Sequence, residues 1–208
     1  MSFSIVLIAA LAASQGEFSC NQTYLSEQLE QRATADQTAR QAYQKSNGSK
    51  ATEAAVLTID AENRAWFRPV LESCGWPAQS VVGEQAAVAA WLIAQHADMD
   101  PGFQRYAADK LKSAVLVGEA QGERLALLVD RNRRLQKQPQ VYGMQFNIQN
   151  NAKIVFLQVE APELLNLRRK EIGLEPFSCY VNSVTTQSKL PAEWPLGVLY
   201  DPAICNGP

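Results

Sequence analysis

Apolar positions in the first half of the chain recur at helical spacing. Residues 22–45 are polar but carry a stripe at Leu25, Leu29, Ala33, Ala39 and Tyr43, which predicts a helix. The segment SNGSK at 46–50 breaks that period. The period resumes over 52–73 through Ala55, Ile59, Trp66 and Val70, with Pro69 placed to kink or end the second helix. Gly75-Trp76-Pro77 reads as a turn. Over residues 84–96 alanines and larger apolar residues surround a third helix on nearly every side, the pattern of a buried helix. Asp100 and Pro101 supply the cap and first turn of a fourth helix, 101–117, and a fifth covers 124–136. The period then changes. VYGMQFNI and AKIVFLQV are β-rich runs joined by QNNA, and Asn150-Asn151 can make the turn of a hairpin. Pro162 opens a last helix that Gly173 stops. The expected fold is mainly α: about six helices with one β-hairpin near residues 140–160, in a single domain over 20–180, followed by a Pro-rich tail over 181–208.

Composition agrees with one packed domain. The chain has 208 residues, 47% apolar and 19% charged, with a formal net charge of -2. Counterion-release binding to nucleic acid needs a basic stripe. The most basic run, 131–137, holds four basic residues in a helical pattern and reads as a solvated face. No nucleic-acid partner is expected. Residues 5–13 form an apolar run followed by small residues, a signal-peptide pattern over 1–16, although no Lys or Arg precedes it. The run is shorter than the ~20 residues a bilayer span needs, so no stable membrane insertion is expected after cleavage.

An even count of four cysteines suits an exported, periplasmic or secreted chain. No two of them are close enough for a structural zinc site. Spacing alone leaves three pairings open. Two antiparallel helices of similar length bring their outer ends together, which favours Cys20 with Cys74 and, by elimination, Cys179 with Cys205.

The candidate chemistry centres on AAWLIAQHADMD, which holds the only histidine, His96. A histidine ending a buried helix feels opposing influences: burial disfavours its charge, while the helix C-terminus and a nearby carboxylate favour it. Such a balance suits a general acid or base. The orienting acid is Asp98, or one from another helix such as Asp36 or Asp130. His-x-Asp-x-Asp also invites a metal reading, but one histidine is few nitrogen ligands for zinc, and Asp100 is better used as a cap, so no metal or cofactor is expected. Asp130 and Arg131 interrupt LALLV in mid-helix. Arg40 and Arg131 are expected to bind an anionic group. Gln95, Gln140, Tyr142 and Gln145 offer neutral donors and acceptors for a small polar substrate or a water. Asp36 with Arg40 and Asp60 with Arg64 have the spacing of ordinary surface ion pairs.

These residues, taken in order, resemble a bacterial family known chiefly as a domain of unknown function. The pattern runs through Asp36-Gln37 and Arg40, Asp60 and Asn63, Gly75-Trp76-Pro77, Gly83, Gln95-His96-Ala97-Asp98, Gln104, Asp130-Arg131, Gln140-x-Tyr142-Gly143-x-Gln145, then Arg169, Gly173-Leu174 and Tyr180. It covers roughly residues 25–180. Met144 departs from it, standing where a small hydroxyl residue is usual. The resemblance implies no established reaction; it ties the polar residues into one set. Metal-independent acid/base hydrolysis or transfer on a small polar or anionic substrate is the leading expectation. A non-catalytic periplasmic binding or inhibitor-like module, its polar network only holding helices in register, is the alternative. If there is one site, His96, Arg40, Asp130 and Gln145 should line one cleft.

Overall fold

The computed structural model describes residues 20–205. The expected signal peptide lies outside the described residues. Helix α1, Gln22–Lys45, starts where the Asn21 side chain accepts the Tyr24 amide. Asn47 and Gly48 turn the chain in left-handed conformations, and α2, Lys50–Cys74, starts at the Ser49 cap. The two form a long antiparallel hairpin. Its outer part is solvated, with residues 41–51 all exposed. Pro69 does not end α2. Phe67, Val70 and Leu71 flank it and are completely buried, so packing on both sides holds the turn together.

After the short α3, Gln79–Val82, comes α4, Glu84–Gln95. Ala86, Ala87, Ala89, Ala90 and Ala94 are all buried. Small side chains let neighbours approach closely, and α4 is accordingly packed against α1, α2, α5 and α6. Helix α5, Pro101–Leu116, and α6, Gly122–Leu135, pair beside it. Asp100 caps α5 as expected, its Oδ1 accepting the Phe103 amide at 2.9 Å. Gly122 has a packing reason: a Cβ there would stand 1.8 Å from the Ile172 carbonyl oxygen.

Strands β1, Phe146–Gln149, and β2, Lys153–Phe156, form the expected hairpin, with Asn150 and Asn151 both at positive φ. A 3-10 turn leads into α7, Leu165–Glu171. Helix α8, Phe177–Ser188, runs across the expected boundary between domain and tail at 180/181. Phe177 and Val181, four residues apart, are buried in a second core with Ile154, Phe156 and Leu165. The prolines that suggested a tail begin only at Pro191. Strand β3, Ala192–Glu193, then adds in parallel to β2. The architecture is therefore eight α-helices and one small three-stranded sheet among the described residues.

Both disulfides pair as expected: Cys20 with Cys74 at the base of the α1/α2 hairpin, as the hairpin geometry favours, and Cys179 with Cys205, the pair left by elimination, holding the tail to α8. Closing a loop of 54 residues is worth on the order of 4 kcal/mol in the chain-entropy account. Among the described residues no helix is long and apolar enough to cross a membrane.

Candidate active site

Asp36 lies on the stripe of α1 that also buries Leu25 and Leu29. It is the one charged residue there, and its side chain is 3% exposed. A carboxylate placed so must be hydrogen-bonded. Four contacts serve it: His96 Nδ1 lies 3.1 Å from Oδ1 and 3.0 Å from Oδ2, Arg40 Nε donates to Oδ1 at 2.9 Å, and Gln37 Nε2 donates to Oδ2 at 2.7 Å. Arg40 spans to the second helix, where its Nη2 reaches Asp60 Oδ1 at 2.5 Å. One guanidinium therefore joins two carboxylates, and the hairpin delivers all three groups.

His96 arrives alone from the C-terminal end of α4, as the residue that caps it. Its Nδ1 lies between the Asp36 carboxylate and Arg40 Nε, 3.1 Å from the latter. The tautomer follows from the partners. With a proton on Nδ1 the ring donates to Asp36 and Arg40 Nε keeps its own donation to Asp36 Oδ1, whereas a bare Nδ1 would accept from Arg40 Nε but set its lone pair against the carboxylate oxygens. Nε2 then carries the lone pair. It has no hydrogen-bond partner among the described residues and is not sealed from solvent. The side chain is 16% exposed.

The two carboxyl groups are pushed apart electrically. Burial raises Asp36, but the hydrogen bond and charge of His96, with Arg40 and Gln37, outweigh it and hold the group below its ordinary range. Burial also raises Asp60, and repulsion from Asp36 adds to it, so the pull of Arg40 does not bring that group back. An Asp36 held below its ordinary value beside an Asp60 raised above it is the kind of separation that acid/base sites use.

Asp36, Asp60 and His96 can each point one ligand atom into a common space, the atoms lying within 4.8 Å of one another. Among the described residues these three are the group that could hold a metal ion. The Arg40 guanidinium already bridges the two carboxylates, so a cation would have to displace it. The His-x-Asp-x-Asp loop does not converge in the same way. Asp100 caps α5 and lies near Arg64 and Arg68. Asp60 likewise pairs with Arg40 across the hairpin and not with Arg64, contrary to the surface pairing its spacing predicts.

The remaining expected site residues form two further groups, so the single cleft is not what the fold builds. Asp98 turns to Arg131, which grips it through Nε at 2.7 Å and Nη2 at 2.5 Å, and to Gln104. Gln104 also donates to the Gln95 carbonyl and accepts from Asn132, linking the α4–α5 turn to α6. Gln95 is buried, and its Oε1 has no partner among the described residues.

The third group surrounds Asp130, which is completely buried. Its oxygens accept the backbone amides of Val141, Tyr142 and Met144 at 2.8 to 3.3 Å. Burial raises this carboxyl against the pull of those amides and of Arg169. Buried Arg169 holds the same loop from the other side, donating to the Tyr142 and Glu175 carbonyls. Gln140 closes the loop on itself, accepting the Gln145 amide and donating to the Gln145 and Leu157 carbonyls. Tyr142 packs in the first core. Gly143 has φ +76 and a virtual Cβ only 2.9 Å from Phe177, so only glycine suits the bend. The side chains of Gln140 and Asp130 are thus occupied with backbone, that of Tyr142 with the core, and Gln145 offers its side-chain oxygen to Arg134 on the surface.

The sequence reading named Asp36 among possible orienting acids but treated Asp60 as a surface charge. The signal was present: Asp36 continues the spacing of Leu25, Leu29 and Ala33, where an unpaired carboxylate cannot be buried cheaply.

A mainly helical, doubly disulfide-bridged domain with a solvent-reaching aspartate–histidine pair is the class these observations define. The family of unknown function DUF6624 matches residues 23–190, and the chain belongs to it. No curated protein and no solved structure matches the chain.

Proposed function

We propose that this is an exported protein that carries out acid/base hydrolysis or transfer on a small polar substrate, with His96 as the proton-handling group. The observation that carries the reading is the Asp36–His96 contact at 3.0 Å with Nε2 left open. Nε2 takes a proton from a water or substrate hydroxyl as that oxygen attacks the substrate carbonyl. The bond to the leaving group then breaks, and the imidazolium returns the proton to that group. Asp36 fixes the ring and stabilises its charged form. Arg40 balances the two carboxylates and has Nη1 free among the described residues to meet developing negative charge. Asp98, Arg131 and Gln104 position the turn that follows His96. The two disulfides fit export to an oxidising compartment, periplasmic or extracellular.

A non-catalytic reading has its own support in the Asp98–Gln104–Asn132–Gln136 chain, which ties α5 and α6 in register. One experiment separates the two. Wild type and His96→Ala are screened by thermal shift and for turnover of uncharged esters and amides, with and without EDTA. Turnover in wild type that persists in EDTA and vanishes in His96→Ala supports the proposal. Equal behaviour of both proteins overturns it, and turnover lost in EDTA moves the assignment to a metal held by Asp36, Asp60 and His96.

A further inference from the structure

The pair at Asp36 and His96 is not isolated on the surface. A groove of about 490 Å³ lies between α1 and α4, and its lining includes close neighbours of the pair, though neither Asp36 nor His96 itself. Gln37 lines the groove and donates to Asp36; Leu92 lines it one turn before His96, and its carbonyl accepts the His96 amide. At the other end Glu30 and Thr34 also line an adjoining hollow of about 410 Å³, together with Glu27.

The lining has a definite chemistry. Ala33, Val88, Ala89 and Leu92 make it apolar. Thr34 and Thr38 spend their hydroxyl protons on carbonyls of their own helix. The side-chain amides of Gln41 and Gln85 can each donate and accept, which matches a peptide group. No residue lining either hollow carries a positive charge, and Glu27 and Glu30 are negative. At the other end two carboxylates face one guanidinium. Anions are therefore disfavoured at both ends. Seven residues of helix, from Glu30 to Gln37, cover about 10 Å. An extended chain covers that distance in about three residues.

We propose that this groove binds an extended basic peptide segment, with a cationic group at Glu27 and Glu30 and the bond to be transformed about three residues away at His96. The position of that bond rests on the acid/base reading above; the binding itself does not. It replaces the anionic ligand expected from Arg40 and Arg131 with one of opposite charge.

The test is calorimetric titration at low salt with acetyl-Lys-Ala-Ala-Ala-amide and its Glu counterpart, using the disulfide-intact protein. The lysine peptide is expected to bind wild type and His96→Ala within about twofold of each other, and the glutamate peptide not to bind. Glu30→Gln should weaken the lysine peptide about fivefold. Thr34→Arg, at an exposed position on the groove wall, should weaken it at least about tenfold with the melting temperature retained. Equal affinity for both peptides, unchanged affinity in Thr34→Arg, or no binding to wild type at millimolar peptide overturns the proposal. The corresponding peptide ester tests the other reading separately: turnover by His96→Ala equal to wild type removes the acid/base role and leaves the binding result standing.

Discussion

Asp36 and Asp130 are both buried, both accept several hydrogen bonds, and both lie near an arginine. Asp130 spends its acceptors on the backbone of one loop, and Arg169 holds that loop from the opposite side. The hydrogen bonds that the carboxylate accepts all come from backbone amides. Asp36 is held by side chains from two helices, and its strongest partner, His96, keeps a nitrogen facing outward. The same residue type in similar burial thus builds a structural staple in one place and a poised ring in the other. The difference lies in the partners: backbone amides have no second chemistry to offer, whereas an imidazole does.

The largest expected effect tests the staple. Asp130→Ala leaves the amides of Val141, Tyr142 and Met144 without their acceptor and removes the negative charge that favours buried Arg169, and should cost about 3–5 kcal/mol in urea unfolding. A loss below about 1 kcal/mol would show that the loop does not depend on the carboxylate. Next comes His96→Ala. It should lower turnover on any accepted substrate by about 10²–10⁴-fold while shifting Tm by no more than a few degrees, the opposite signature to Asp130. A large loss of stability with intact turnover would place His96 among the structural residues.

Asp36 belongs to both kinds of experiment. Its folded carboxyl lies below its ordinary value, so its contribution to stability is present above the unfolded pKa of about 3.9 and is lost as pH falls through the lower folded value. Acid unfolding of the wild type should therefore steepen below about pH 4, and Asp36→Asn should flatten that limb. Parallel curves for the two proteins would mean that the depressed value does not come from folding. The smallest effect is expected at Asp98. It and Arg131 are each about one-third exposed, so Asp98→Ala should cost about 1 kcal/mol or less despite the two-pronged contact.

Much of the fold was legible because periodicity reports burial directly. The all-round alanines of the third helix, the Asn150-Asn151 turn and the disulfide pairing all follow from local pattern and simple geometry. Helix α8 was hidden by the prolines downstream of it, though Phe177 and Val181 already had the spacing. The site was legible only in part. His96 and Arg40 stand out as residue types, and Asp36 stands out by its place on an apolar stripe. What periodicity does not carry is which charged groups meet across elements. Asp60 chose Arg40 on the opposite helix over Arg64 on its own, and Asp130 chose the backbone of a distant loop over the histidine. Gln140 and Tyr142 drew notice as polar residues in a strand-like run; the strand begins only at Phe146, and the amide of Gln140 is needed to close the turn before it.

The α1/α2 hairpin has a mechanical consequence. Asp36, Arg40 and Asp60 ride together on one rod, pinned at its base by Cys20–Cys74 and free in solvent at its tip. His96 belongs to the body. A tilt of the rod about its pinned end leaves the Arg40 bridge unchanged but alters the span between Asp36 and the imidazole, along with that between Arg68 and Asp100. Anything that grasped the tip at Asn47 and Gly48 would therefore pull, from the far end of the rod, on the contact that orients the imidazole.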